Sequence, residues 1–380
     1  MTKAPTVYDV AAHAGVSIAT VSRVLRRPDD VRPETRSRVR ASVLELGYVP
    51  SGAARGLAGR RTGVLGLFLP GHDAIEEPEP DWAALTDARR IELVDETGRG
   101  RPSEGGGPTR TSVSPYFDEV LRGAEVEAWR RGFALMVAAG RGSSREVLVN
   151  DIAGRVDGLA VLASTVPDEL LAHVARRIPV VVLADAHPGD QLDHVSVDNR
   201  AGMRALAEHV LADLPEGRRV VFVSGPADSP DDADRHAGFD DAVRAVGLQE
   251  ARVELVHGDF GRERGREVGA ALVAGRGADA GRASCLPALV VCANDQTALG
   301  VLEAFRTAGV DVPGQVRVTG FDGIDATRFS VPALTTVRQP MDDLGRVAVR
   351  TILARLADPA LPPQRVTLPV RVLLRESTGG

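Results

Sequence analysis

The chain has 380 residues, 43% of them apolar and 26% charged, with a formal net charge of −6 and two cysteines. That length supports two or three separately cored domains, and the ordinary apolar and charged fractions exclude a disordered or fibrous chain. No apolar run approaches the ~20 residues that span a bilayer, the opening "MTKAPTVYDV" lacks a secretory leader, and two cysteines outside any CxxC pair exclude a disulfide scaffold. The expectation is a cytoplasmic protein with Cys285 and Cys292 reduced, Cys292 lying in a buried strand.

The charge is uneven. Residues 1–61 carry eleven Lys/Arg against five Asp/Glu, a net of +6, which leaves −12 for the remainder. A basic head on an acidic body suggests that one end meets a polyanion. Only Lys3 among the 46 basic residues is lysine, so the number of arginines by itself carries little weight.

The first predicted elements lie in "VYDVAAHAGVSIATVSRVL", Val7 to Leu25. At helical period Val7, Val10, Ala11 and Ala14 share one face, Gly15 ends the helix and Val16 plugs the gap to the next. Ser17 caps a second helix whose inward face is Val21, Val24 and Leu25. The small residues Ala11, Ala12 and Ala14 let the two helices cross closely through a tight turn, a helix-turn-helix signature. A third helix, "PETRSRVRASVLELG", begins at Pro33, buries Val39, Val43 and Leu46, and stops at Gly47. Outward, the second helix presents Ser17, Ile18, Ala19, Thr20, Ser22 and Arg23. Hydroxyls and an arginine suit phosphates and guanine edges, and Ile18 and Ala19 suit thymine methyls in a major groove. From these residues alone, a helical hairpin with a polar solvent face is the alternative.

"TVYDVAAHAGVSIATVSRVL", followed by "GYVPSGAARGLAGRRTGVLGLFLP", resembles the LacI/GalR family of bacterial transcription regulators. The resemblance implies that Thr6, Ser17, Ile18, Ala19, Thr20, Ser22 and Arg23 meet DNA, with Ile18 and Ala19 helping to choose the operator. It also implies a hinge helix over "PSGAARGLAG", with Ala54, Arg55 and Leu57 in register and Leu57 wedged into the minor groove. Ser51, Gly52 and Gly56 depart from the family pattern. Each interior glycine costs a helix about 1 kcal/mol relative to alanine, so this hinge is expected to fold only when two copies meet on an operator.

From Thr62 onward, apolar runs ("GVLGLFL", "FALMVAA", "DGLAVLA", "PVVVLAD", "RVVFVSG", "ALVVCAN", "VRVTGFD") alternate with helical stretches such as "FDEVLRGAEVEAWRRG" and "DQTALGVLEAFRTAG". Continuous apolar strands between amphipathic helices indicate parallel sheets covered on both faces, and roughly 320 residues exceed one core, so two α/β lobes are expected. The resemblance implies a periplasmic-binding-protein-like body with a ligand between the lobes. The chain would cross between them near Ser196, near Val337 and in "LADPALP". The fold class is therefore α/β: an all-α helix-turn-helix head (1–49), a hinge (50–61), a first lobe (62–196 with 338–358) and a second (197–337 with 359–380). Residues 71–113, acidic and rich in Gly and Pro, exceed what the family needs there and read as a solvated, partly disordered surface insertion, with Trp82 as a local packing anchor. A lid over the cleft or a partner-binding segment is the alternative.

Three motifs resemble the family's effector shell. "DRHAGFDDAV" supplies Arg235, "CANDQTALG" Asn294 and "TGFDGID" Asp322, the last two at strand C-terminal ends, where open α/β sheets place ligands. A guanidinium, an amide and a carboxylate can together grip vicinal hydroxyls. Tyr116, Phe117 and Phe260 offer aromatic walls for a sugar ring or a base, and Asp185 is held as a further candidate carboxylate. The alternatives are an Arg235–Asp322 ion pair bracing the lobe, and Asn294 or Asp295 serving as helix caps. Asp231, Asp232 and Asp234 read as a polar rim, and His187 and His194 as solvated loop residues.

Enzyme motifs fail. "GRGADA" follows a helix rather than a strand, and no P-loop, nucleophile elbow or H-E-x-x-H is present. No cofactor or metal is expected. A transport-linked solute-binding protein would share the body but not the basic head. The sequence thus predicts a non-enzymatic regulator, a repressor by resemblance. It would bind a pseudo-palindromic double-stranded DNA operator as a homodimer, with a carbohydrate effector and no membrane partner.

Overall fold

Thr6 sets the start of the first helix. Its hydroxyl accepts from the Asp9 amide at 3.4 Å while the Asp9 carboxylate accepts from the Thr6 amide at 2.7 Å, a reciprocal capping box over α1, Val7–Ala14. Gly15 ends α1 in the left-handed conformation, φ 62°, which costs glycine nothing. The Ser17 hydroxyl accepts from the Thr20 amide at 3.1 Å and opens α2, Ile18–Arg26; α3 spans Pro33–Leu46. Val10, Ala11, Ala14, Val21, Val24 and Val39 form the core of this three-helix unit, with Val16, Val43 and Leu46 packed against it. Leu25 departs from expectation: it is 38% exposed. At 100° per residue it falls past the edge of the face that Val21 and Val24 already fill.

The structure is a computed structural model that describes residues 5–26, 30–46, 61–70, 115–140, 145–162, 165–184, 190–214, 217–249, 252–275 and 286–379. The hinge, with Ser51, Gly52, Ala54, Arg55, Gly56 and Leu57, the 71–113 segment with Trp82, and Gly47, Asp185, His187 and Cys285 lie outside these residues. The chain divides into two units, Met1–Gly63 and Val64–Gly380.

The second unit holds two six-stranded sheets. The first comprises β1 (Val64–Pro70), β2 (Ala134–Gly140), β3 (Gly158–Leu162), β4 (Val180–Leu183), β5 (Asp193–Val197) and β11 (Arg365–Leu368), ordered β11-β5-β4-β3-β1-β2 and parallel throughout. The second comprises β6 (Val220–Val223), β7 (Val253–Val256), β8 (Leu289–Cys292), β9 (Arg317–Asp322), β10 (Thr335–Arg338) and β12 (Arg371–Leu373), ordered β12-β10-β9-β8-β6-β7. Only its edge strand β12 is antiparallel. β3, β4 and β8 are apolar runs buried on both faces, and Cys292 is 0% exposed on β8.

The chain leaves the first sheet after β5, returns to it after β10, and crosses a last time between β11 and β12. The third crossing corrects the expected domain bounds. The sequence reading assigns residues 359–380 whole to the second lobe, with the crossing in "LADPALP", but β11 pairs in parallel with β5, Arg365 opposite His194 through Leu368 opposite Val197. The switch falls at Pro369 and Val370, because β5 still has an open edge that β11 can fill. His194 is also corrected: it lies on β5, 1% exposed, with Nε2 2.8 Å from the Asp190 carboxylate.

The helices packed on these sheets begin with α4 (Pro115–Arg130), α5 (Arg145–Ala153) and α6 (Asp168–Ala175). They continue with α7 (Asn199–Leu211), α8 (Pro230–Ala245), α9 (Arg262–Ala274) and α10 (Asp295–Thr307). After β9 come a short α11 (Ala326–Phe329) and then α12 (Met341–Ala357). In the first lobe α4 and α12 meet through a pair of glycines. A Cβ on Gly123 would overlap the Asp342 carbonyl, and one on Gly345 would overlap the Val120 carbonyl. Backbone cannot yield as a flexible side chain can, so Gly123→Ala is expected to destabilise this unit by about 2 kcal/mol, against the stabilisation alanine gives in an open helix. Urea denaturation checks this; an equal or higher midpoint contradicts it.

Candidate functional site

On the head, α2 leaves Ser17, Ile18, Ala19 and Arg23 exposed and Thr20 and Ser22 half-buried. The Ser17 and Thr20 hydroxyls lie 2.9 Å apart, so both are tied into the start of the helix. Thr6 is engaged in its capping box.

In the second unit the Arg235 guanidinium rises from α8, is 3% exposed and meets the residue after β8 and the C-terminal end of β9. Its Nε donates to Asn199 Oδ1 at 2.9 Å and its Nη1 to the Ala293 carbonyl at 2.8 Å. The ring of Phe321 lies 4.1 Å from its Cζ and that of Phe260 5.7 Å, so the cation is also held against aromatic faces. Two carboxylates flank it, each at 3.6 Å: Asp231 Oδ2 from Nη2 and Asp322 Oδ1 from Nη1. That separation is too long for a hydrogen bond. The structure therefore brings Arg235 and Asp322 together without letting them close into a direct contact.

Asp322 ends β9 with φ 123°, a left-handed conformation for a non-glycine residue. Such backbone costs on the order of 1–3 kcal/mol and persists only where its surroundings overdetermine it. The determinants are visible. The buried Asp295 carboxylate accepts from the Gly323 and Ile324 amides at 2.6 and 2.9 Å and from the Thr336 hydroxyl at 2.6 Å. Gln339 donates its backbone N–H to the Asp322 carbonyl at 2.9 Å and its side-chain amide to Asp322 Oδ1 at 2.7 Å. Burial pushes the Asp322 carboxyl up to about 6, opposed by Arg235 and by the Gln339 hydrogen bond. Burial and the neighbouring Asp322 charge hold Asp295 well above the usual carboxylate range.

Asn294 caps α10, accepting from the Thr297 amide at 3.1 Å, and its Nδ2 donates to the Phe260 carbonyl at 3.0 Å. It is a cap that also fixes the Phe260 loop. Phe260 adopts φ 65°, and its ring packs against Gly225, where any Cβ would collide with it. Tyr116 and Phe117 open α4 in the first lobe and meet edge to face, 5.5 Å between centroids. Burial, then the charges of Asp231 and Asp322, push the Tyr116 hydroxyl upward while Arg235 opposes. Phe117 packs into the first-lobe core.

The expected polar rim divides on inspection. Asp234 is exposed, but Asp232 accepts from the Gly225 amide at 2.6 Å, and Asp231 accepts from Asn199 Nδ2 at 2.7 Å beside Arg235. Asp231, Asn199 and Gln339 are thus members of the cluster that the sequence reading did not include.

Comparison with known proteins finds a family match within each unit. The family described as "Bacterial regulatory proteins, lacI family" matches residues 6–51, and "Periplasmic binding protein-like domain" matches residues 216–378. The HTH-type transcriptional regulator CelR of Thermobifida fusca is 30% identical over 379 residues, covering 98% of each chain. The chain belongs to the lacI family. Catabolite control protein A of Priestia megaterium is 27% identical, covering 98% of this chain and 99% of the relative. Among solved structures, a transcriptional regulator CelR–cellobiose complex has 28% identity and TM-score 0.64 over 98% of this chain and 99% of that one. A lac repressor dimer bound to operator and the anti-inducer ONPF shares the fold, with 23% identity and TM-score 0.74 over 99% of each chain. As a lacI-family member the protein is a DNA-binding transcriptional regulator with an effector-binding unit.

Asp322 holds its proton more tightly folded than unfolded, where its pKa is about 3.9. Its contribution to stability is present at low pH and declines as pH rises through about 6. Asp322→Asn removes that titration, so the variant should gain stability relative to the parent between pH 5 and pH 7. Urea denaturation at the two values measures this; a pH-independent difference contradicts it.

Proposed function

We propose that this lacI-family protein is a repressor that binds a pseudo-palindromic operator as a homodimer, and that a sugar or sugar derivative between the two lobes controls its operator affinity. The observation that carries the effector assignment is the Arg235 cluster. A buried guanidinium stands 3.6 Å from both the Asp231 and the Asp322 carboxylate, gaps too long for direct hydrogen bonds. Hydroxyl groups that both donate and accept can bridge those gaps. The relative named for cellobiose binding supports a carbohydrate, as does the similarity to the ribose operon repressor of Halalkalibacterium halodurans, 28% identical over 379 residues. In this reading Arg235, Asp322 and Asn294 hold the ligand, with Tyr116 and Phe260 as its aromatic walls. Phe117 supports Tyr116, and Asp185 stays a candidate from sequence alone.

On DNA, α2 enters the major groove and Thr6, Ser17, Ile18, Ala19, Thr20, Ser22 and Arg23 meet phosphates and base edges. Ala54, Arg55 and Leu57 act at the operator centre. Ligand binding shifts the equilibrium between two arrangements of the lobes, and shifts operator affinity only as far as its affinities for the two differ. The protein acts as a regulator in the cytoplasm and not as an enzyme, as its regulator relatives suggest.

Fluorescence anisotropy with fragments from the protein's own genomic locus tests the reading. The parent chain should bind one fragment with an affinity that falls steeply with salt. Arg23→Ala should weaken that binding roughly tenfold or more, the discrimination one arginine–guanine contact supplies. Failure to bind any fragment at low salt overturns the proposal.

A further inference from the structure

We propose that the effector site selects an uncharged ligand bearing adjacent hydroxyls and turns away anionic sugars, with Asp231 as the carboxylate that sets this preference. The inference rests on the reading that a small molecule occupies the space around Arg235.

Charge and donor count both point this way. Asp231 and Asp322 both stand 3.6 Å from the Arg235 guanidinium, two carboxylates against one cation. Arg235 carries five N–H groups. One is committed to Asn199 and one to the Ala293 carbonyl, which leaves three on Nη1 and Nη2, whose nitrogens stand 3.6 Å from Asp322 and Asp231 respectively. Asp231 already accepts from Asn199, and Asp322 from Gln339, so both are fixed in place. The Gln339 carbonyl oxygen, on a side chain 1% exposed, has no partner among the described residues. The cluster thus has a surplus of acceptors.

A hydroxyl seated beside either pair, about 2.8 Å from both atoms, donates to the carboxylate and accepts from the guanidinium, and two adjacent hydroxyls do so on both sides at once. A phosphate or carboxylate ligand could satisfy only Arg235 and would meet two negative groups in a poorly solvated space, where like charges repel strongly. An ammonium would satisfy the carboxylates but abut the guanidinium. Rejection of the wrong class therefore comes from a repulsive element built into the site. Asp231 is the member suited to tuning, because its side chain is 16% exposed against 9% for Asp322 and it sits on α8 outside the strained turn after β9.

The test pairs neutral mono- and disaccharides with the 6-phosphate and the uronic acid of the same sugars. Each is added to the full chain, and binding is read by melting temperature and then by calorimetry. The expected result is that a neutral sugar binds, that its anionic counterparts bind at least a hundredfold more weakly, and that Asp231→Asn narrows this ratio at least tenfold. Asn keeps an acceptor for Asn199, and Asp231→Ser serves as a second variant should the first fail to fold. An anionic sugar that binds the parent as tightly as its neutral counterpart overturns the charge selection and leaves sugar sensing intact. An unchanged ratio in both variants overturns the role of Asp231. Absence of binding by every sugar overturns the carbohydrate reading and this inference together.

Discussion

A guanidinium buried to 3% exposure must be compensated from every side, because an unpaired charge in a protein interior is among the most costly features a fold can carry. Arg235 meets that demand with partners drawn from separate elements: Asn199 at the start of α7, Ala293 after β8, Phe321 within β9, and carboxylates from α8 and the end of β9. The partners coincide only if β6, β8 and β9 hold their parallel register, Val223 beside Cys292 and Val291 beside Thr319. The buried cation and the sheet order are in this sense one constraint. Its compensation is also incomplete, since the flanking carboxylates stop short of direct contact, and that remaining demand suits the cluster to receive a ligand.

The turn after β9 carries the matching strain. Asp322 would adopt its backbone readily only as glycine, yet glycine could not supply a carboxylate there. Asp295 resolves the conflict from beneath, gathering two amides and a hydroxyl onto one buried side chain, while Gln339 ties the turn to the chain just before it returns to the first lobe. Asp322, a residue of the proposed effector site, is therefore bonded to the residue that immediately precedes the interlobe crossing. A ligand that redistributes the bonds of Asp322 and Gln339 acts at a point through which lobe movement must pass.

Much of this was legible in the residues because strong local signals governed it. The helix-turn-helix is set by 3.6-residue periodicity, a Thr cap, a left-handed glycine and a Ser cap, all of which act within a few residues. Leu25 misled because periodicity marks an apolar stripe but not where its edge lies. Six of the seven apolar runs identify largely buried strands, but "FALMVAA" is the edge strand β2, with Val137 44% exposed, because an apolar run marks a strand and not its place in the sheet; β5 ("DHVSV"), β7, β10, β11 and β12 are short and mix polar with apolar residues, so they carry little signal. The edge pairing of β11 with β5 joins residues about 170 apart in sequence, and nothing local announces it. Arg235, Asn294 and Asp322 stood out by motif. Asn199, Asp231 and Gln339 did not, since their roles depend on distant partners; the placement of Asn199 and Gln339 just past β5 and β10 was the available clue.

The central proposal is that Arg235 senses the effector. The direct measurement is operator affinity of the parent and of Arg235→Lys, with and without a small-molecule extract of the source cells. The account predicts an extract-dependent change in the parent that the variant loses, with the variant shown to be folded by its melting transition. Lysine keeps the charge but cannot reproduce the forked geometry of the guanidinium. A variant that responds to the extract as the parent does would contradict the account.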